Sequence, residues 1–202
     1  MCFHSKQSQK AQVLENRFRA KFLDTDQFVP TNLYNGFSYP QTPVITNKDP
    51  DIIQLFHWGL LPNWATDISF RKNTLNAKIE TIKEKPSFRN SIHHRCLVLL
   101  DGFYEWQWLD EKGKQKQKYL ITQPNNEAFA MAGLWNTWTD RQTGEIMKTY
   151  TILTTVANEA MSIIHNSKKR MPMILKPEEE CLWLENQDVD AVRDVELAFS
   201  KQ

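Results

Sequence analysis

In the middle of the chain two strand-forming runs stand almost back to back, and they constrain the whole fold. Arg95–Leu100 is a short apolar stretch, and Phe103–Leu109 follows after Asp101 and Gly102 alone. Lys112-Gly113 then supplies a turn into a third run, Lys118–Thr122. More strands are expected in residues 28–62, where short apolar runs are broken by turn signals at Asn35-Gly36, Pro40 and Pro43. Phe56–Trp64 reads as an aromatic strand end or loop, and Ala128–Trp135, Lys148–Thr155 and Met171–Leu175 read as further strands. Helical spacing is confined to short pieces. A basic amphipathic segment covers residues 5–23, with Leu14, Phe18 and Phe22 recurring at helical intervals. A helix start is expected at Pro86 and Ser87, a short helix at Ala157–Ile164 with Met161 and Ile164 inward, and a final helix from Pro177 through Leu184. Short strands mixed with short helices, without βαβ regularity, predict an α+β fold: a mainly antiparallel, barrel-like sheet with short helices packed around it.

Composition narrows the class. With 202 residues, 41% hydrophobic and 24% charged, the chain suits one domain, residues 2–202, with a sizeable core. A formal net charge of +1 means that any nucleic-acid surface is a local patch. Lys112, Lys114, Lys116 and Lys118 alternate and offer one such positive face, although lysines protecting a solvated edge strand explain the same pattern. Three cysteines, Cys2, Cys96 and Cys181, form no CxxC pair, which argues against a disulfide framework or zinc knuckle and for a reducing compartment. Cys2, His4, His93 and His94 have no standard zinc spacing, so neither metal nor cofactor is expected. MCFHSKQSQK has no apolar signal-peptide core, and no run of 18 apolar residues exists, so the expected location is cytoplasmic and the expected state a monomer away from membranes.

Four residues could carry chemistry. Met1 precedes Cys2, whose small side chain favours removal of the methionine. Residue 2 would then bear an amine and a thiol together, a 1,2-aminothiol that condenses with an aldehyde to a thiazolidine. An α-amine titrates at about 7.7–8.0, so a useful neutral fraction exists near pH 7. Glu105 lies within GFYEWQW, where strand alternation puts Tyr104, Trp106 and Trp108 on one face and Phe103, Glu105 and Gln107 on the other. A carboxylate among aromatics is suited to acid–base work because burial raises its pKa, but by pattern alone the solvent face is the preferred place for it. His165 precedes the cationic run Lys168-Lys169-Arg170, which biases an imidazole toward its neutral, proton-accepting form. A histidine that meets the last carbonyls of a helix is the alternative. Asn76 could cap a helix, the commoner use, or orient a substrate or the Cys2 amine.

The order of motifs resembles the SRAP family, the SOS-response-associated peptidase fold. The matching stretches are Cys2, WGLLPNWA at 58–65, NAKIET at 76–81, PSFR at 86–89, RCLVLLDGFYEW at 95–106, GLW at 133–135, and His165 followed by RMP at 170–172. They run in family order over almost the whole chain. The resemblance implies a sensor and shield of abasic sites in single-stranded DNA. Cys2 would bond to the ring-opened deoxyribose aldehyde, and Asn76 would position the N-terminus and the sugar. Glu105 would act as the acid–base group and His165 as the partner for proton transfer. It also implies self-processed removal of Met1 and a weak strand-cleaving β-elimination. A single-strand cleft needs cations for phosphates and aromatic faces for bases. Lys78, Arg71, Arg89 and Arg170 are the phosphate candidates, His4 a weaker one, and Trp58 and Trp64 the stacking candidates, with core packing the competing use of each tryptophan.

Three features differ from the family pattern. Phe3-His4 stands where many members have Gly-Arg, Lys78 where arginine is common, and Asn166-Ser167-Lys168-Lys169 lengthens the loop between the histidine and Arg-Met-Pro. Two other readings stay open: an autoprocessing cysteine peptidase or amidase using Cys2, His165 and Asn76, and a non-catalytic single-strand-binding module.

Overall fold

The computed structural model describes residues 2–189 and 195–202. Among these, the strands are β1 (His4–Gln7), β2 (Lys21–Phe22), β3 (Thr31–Asn35), β4 (Gln41–Thr46), β5 (Ile52–Trp58), β6 (Asn76–Lys78) and β7 (Arg95–Leu100). They continue as β8 (Gly102–Trp108), β9 (Lys116–Thr122), β10 (Phe129–Thr139), β11 (Ile146–Val156), β12 (Arg170–Pro172), β13 (Ile174–Leu175) and β14 (Ala198–Lys201). The α-helices are α1 (Ala11–Phe18), α2 (Glu159–Ile164) and α3 (Pro177–Leu184).

Five strands close on themselves in the order β5-β4-β7-β10-β11, and a parallel pairing of β11 with β5, Thr149 opposite His57 and Tyr150 opposite Trp58, completes the ring. The other four junctions are antiparallel. Closure leaves these strands without free edges. Both faces of the ring are covered, which is why β7 is a continuous apolar run and not an alternating one. Leu97 and Leu99 join one apolar cluster with Leu14 and Trp183, beneath α1 and α3. Cys96, Val98 and Leu100 join a second with Phe56, Trp58 and Tyr150. The Thr42 hydroxyl and the Tyr150 phenol lie 2.6 Å apart across strands that are not neighbours in the ring, so this second cluster fills it. A further sheet, β14-β9-β8-β1-β3, is antiparallel throughout, and its Phe103 and Ile121 pack onto the second cluster.

The helices follow their local chemistry. Pro177 opens α3 with three glutamates in its first turn, where the amide ends favour negative charge, and Glu179 accepts from Lys176 N over 3.0 Å. Asn158 caps α2 by accepting from Met161 N over 2.9 Å, and Met161 and Ile164 face inward. Two expectations change. The helix within residues 5–23 covers only Ala11–Phe18, because residues 4–7 form β1 and Arg19 turns into the left-handed region at φ 52°. The helix expected at Pro86 is a run of turns with one 3-10 turn at Arg89–Ser91, since no sustained apolar face follows it. Among the described residues no helix is long and apolar enough to cross a membrane.

Candidate active site

The site starts from how β1 is held. It pairs antiparallel with β8, His4 opposite Tyr104 and Ser5 opposite Phe103, and with β3 on its other side. Asp101, 2% exposed at the junction of β7 and β8, fastens it. Its carboxylate accepts from Lys6 Nζ over 2.6 Å, from Ser8 N over 3.1 Å and from Ser8 Oγ over 2.5 Å. Charge-assisted bonds of this kind are strong when shielded. The strand so fixed delivers Cys2 to the barrel core, where it is fully buried with Trp58, Phe103 and Tyr150. Removal of Met1, expected from the sequence, concerns a residue outside those described.

Asn76 reaches Cys2 from the opposite wall. β6 runs parallel to β11, with Asn76 opposite Ile152, and the Asn76 carboxamide Nδ2 donates to the Cys2 carbonyl over 2.8 Å. Its Oδ1 is buried and has no partner among the described residues. Asn76 is a strand residue here, so the helix-capping use is excluded.

Glu105 and His165 complete the constellation. Glu105 is 3% exposed, which overturns the solvent-face placement, because both faces of β8 are covered at that point. Its Oε2 lies 3.9 Å from Nε2 of His165. His165 follows α2 and is buried, and its ring is fixed by a 2.8 Å bond between Nδ1 and the Arg170 carbonyl. Arg170 N also approaches Nδ1, at 3.1 Å, and leaves Nε2 as the ring nitrogen turned toward Glu105. Burial pushes His165 below the usual histidine range, Glu105 pulls it back, and Lys168 adds to the depression. Burial drives the Cys2 thiol far above the ordinary thiol value, and the Glu105 charge adds to this.

A cavity of about 310 Å³ opens onto Glu105 and His165, while Cys2 and Asn76 are not among its lining residues. Phe3, His4 and the buried Glu105 and His165 line it. Trp106 and Trp108 form one wall, and Lys116, Ser167 and Lys168 stand at its edge. The long loop between His165 and Arg170 adds two residues, Ser167 and Lys168, to the cavity.

The DNA-binding candidates separate. Trp58 is fully buried, donates from Nε1 to the Leu75 carbonyl over 2.8 Å and stacks on Tyr150, so it offers no face to a base and belongs to the core. Arg170 is held in a bidentate pair with Glu80 at 2.7 and 3.0 Å and donates to the Thr154 carbonyl, so its charge is already spoken for. Arg71 lies 3.9 Å over the Tyr39 ring. His4 packs edge-on against Trp106 at 4.9 Å, and burial together with Lys118 holds it below the usual histidine range, so it faces the cavity as a neutral ring. Lys78 and Arg89 are exposed, and Trp64 is 44% exposed with its edge on Phe70. None of these three lines the cavity. The sequence reading passed over Trp106, Trp108, Lys116, Ser167 and Lys168 as site residues. The shared strand face of Trp106 and Trp108 and the alternating lysines were the available signals.

Residues 1–201 match the model of the family described as SOS response associated peptidase (SRAP). The chain is 38% identical over 175 residues to the abasic site processing protein YoqW of Bacillus subtilis, covering 83% of this chain and 75% of that protein. It is 32% identical over 204 residues to the abasic site processing protein HMCES of Pongo abelii, covering 82% of this chain and just over half, 56%, of that longer protein. A crystal structure of a protein from Bacteroides thetaiotaomicron superposes with a TM-score of 0.89 at 34% identity, over 99% of this chain and 91% of the other.

Proposed function

The chain belongs to the SOS-response-associated peptidase family, and from that premise we propose that it processes abasic sites in single-stranded DNA by forming a thiazolidine between Cys2 and the ring-opened deoxyribose. The observation that carries this reading is the convergence on Cys2: its carbonyl is gripped by Asn76, and Glu105, paired with His165 on the wall of a cavity, is close enough for its charge to act on the Cys2 thiol.

The chemistry runs as a condensation followed by an addition. Once Met1 is gone, the Cys2 α-amine attacks the aldehyde carbon, a C–N bond forms, and loss of water leaves an imine. The thiol then adds across that C=N bond: sulfur bonds to carbon and the thiol proton ends on nitrogen. One water leaves overall. The strongly raised thiol sets the order, because a buried thiol stays protonated and the amine leads. Nε2 of neutral His165 accepts a proton during sugar ring opening, and the Glu105 carboxyl shuttles protons to and from the imine nitrogen. Asn76 Oδ1 is a buried acceptor beside Cys2 and suits the new α-amine. Arrest at the imine would permit slow β-elimination, the weak lyase activity of this reading. A cysteine peptidase is less well served, since it needs a thiolate and burial opposes one here.

Intact mass spectrometry of wild type and Cys2→Ala, after incubation with single-stranded DNA carrying one abasic site, tests the reading. The expected wild-type product is protein without Met1 plus DNA minus one water, absent in the variant. No adduct from a chain confirmed to start at Cys2 overturns it, and DNA binding that survives in Cys2→Ala with no other loss would favour a non-catalytic binding module.

A further inference from the structure

We infer that Lys116, Ser167 and Lys168 form a phosphate subsite that holds the phosphodiester flanking the abasic sugar. The inference rests on the abasic-site reading for the identity of the strand, but not on its covalent step.

Three observations carry it. The first is how the loop is built. Asn166 clasps the end of β8 at two points: Trp108 N donates to its Oδ1 over 3.0 Å, and its Nδ2 donates to the Trp108 carbonyl over 2.9 Å. Lys169 N donates to the His165 carbonyl over 2.8 Å, and Lys169 takes a left-handed φ of 49°, so residues 165–169 form a closed turn. This is the segment that lengthens the loop relative to the family pattern, and the clasp aims Ser167 and Lys168 at the cavity.

The second is charge. Lys116 approaches the same cavity from β9, with its ammonium 5.5 Å from the Trp108 ring centre. Among the described residues neither Lys116 nor Lys168 has a carboxylate within ion-pair distance, whereas Arg170 is neutralised by Glu80 and Lys6 by Asp101. Two cations without an ion pair among the described residues line one recess, which they share with Glu105, and the Ser167 hydroxyl on its lining can supply a hydrogen bond.

The third is position. Lys168 is close enough to His165 for its charge to depress that imidazole, so an anion held by Lys168 sits next to the reacting centre. The adjoining wall of Trp106 and Trp108 supplies stacking faces. Cation and aromatic side by side is the arrangement a single strand needs, phosphate on one and base on the other.

The test uses single-stranded DNA with a tetrahydrofuran abasic analogue, which cannot open to an aldehyde, so binding is read without Cys2 chemistry. Strands carry a neutral methylphosphonate immediately 5′ or immediately 3′ of the analogue. For wild type, one of these two strands is expected to bind about 3- to 10-fold more weakly than the all-phosphate strand. In Lys116→Gln/Lys168→Gln that penalty should vanish, and the slope of log affinity against log salt should flatten by about 0.7. An unchanged melting temperature, expected for two exposed lysines, confirms that the variant is folded. The same methylphosphonate penalty in wild type and variant overturns the subsite, and so does a variant that weakens all three strands equally. Failure of the covalent reading would appear separately, as a missing adduct on a true abasic strand.

Discussion

The Asn76 side chain holds the Cys2 carbonyl at 2.8 Å, so β6, paired with β11 in the barrel wall, helps set the position of Cys2. Reaction rates depend steeply on such placement, and a misplacement of about 1 Å can cost about 100-fold. Asn76→Ala should therefore slow adduct formation on abasic single-stranded DNA by about 10- to 100-fold. The fold should lose only about 1 kcal/mol, the net worth of one hydrogen bond. Single-turnover kinetics and thermal melting check the two halves. A variant with wild-type rate would remove Asn76 from the site.

The three thiols occupy different environments, which fixes an order of reactivity. Cys181 is exposed on α3, while Cys2 and Cys96 are fully buried and pushed well above the usual thiol range by burial. Ellman's reagent at pH 8 should label one thiol per native chain quickly and all three only in denaturant. Cys181→Ser should abolish the fast phase. Fast labelling at Cys2, read by peptide mass spectrometry, would contradict the proposed order in which the amine reacts before the thiol.

Two histidines make stability depend on pH. Burial holds both His4 and His165 below the usual value of 6.5, helped at His4 by Lys118 and opposed at His165 by Glu105. The unfolded chain then binds protons that the folded one refuses, so stability is complete above about 6.5 and falls as pH drops below it. Melting temperature should decline between pH 7 and pH 5 in wild type, and less steeply in His4→Gln and His165→Gln. Equal slopes in all three proteins would show that neither ring is kept neutral by the fold.

Much of this architecture was legible because local chemistry and tertiary context agreed. α3 carries its own start signal in Pro177 and its glutamates, and it spans the predicted residues. β7 reads correctly because a ring with both faces covered demands an unbroken apolar run. Where polar residues fill strand positions the signal disappears. His4–Gln7 alternates in burial, yet the buried members are Ser5 and Gln7, so nothing apolar marks β1. The same effect hid β14, whose AFSK sequence offers only two apolar residues. Glu105 was drawn toward solvent by alternation, a rule that assumes one wet face. Trp58 stays open between stacking and core packing in the sequence because residue type carries no information about depth. Cys2, Asn76, Glu105 and His165 were legible as a set, but their meeting depends on β1 and β6 approaching one region from separate sheets.

Asp101 is the post to which β1 is tied, through Lys6 and Ser8. Asp101→Ala removes three bonds to a carboxylate that is 2% exposed, and the expected loss is about 2–4 kcal/mol. Asp101→Asn keeps the acceptor for Ser8 and should lose less. The urea midpoint should fall with an unchanged m-value, since the unfolded surface is the same. Under the proposed function, adduct formation should slow in Asp101→Ala even where the protein is fully folded, because Cys2 rides on the loosened strand. A normal rate in the folded variant would show that β8 and β3 suffice to place it.

The tryptophans should divide by depth. Trp58→Phe strips the indole N–H from the buried Leu75 carbonyl and leaves a void beside Tyr150, so it should cost about 2–4 kcal/mol of stability. Any change in DNA affinity should follow from that alone. Trp106→Ala opens the cavity wall, where the ring is half-buried and meets His4 edge-on. It should cost about 1–3 kcal/mol of single-strand affinity, the worth of one stacked base, and much less stability. Melting curves beside fluorescence anisotropy on an abasic-analogue strand separate the two effects. Should Trp58→Phe impair binding while leaving stability untouched, the indole would have to leave the core to meet DNA, and the barrel interior would be a moving part of the site.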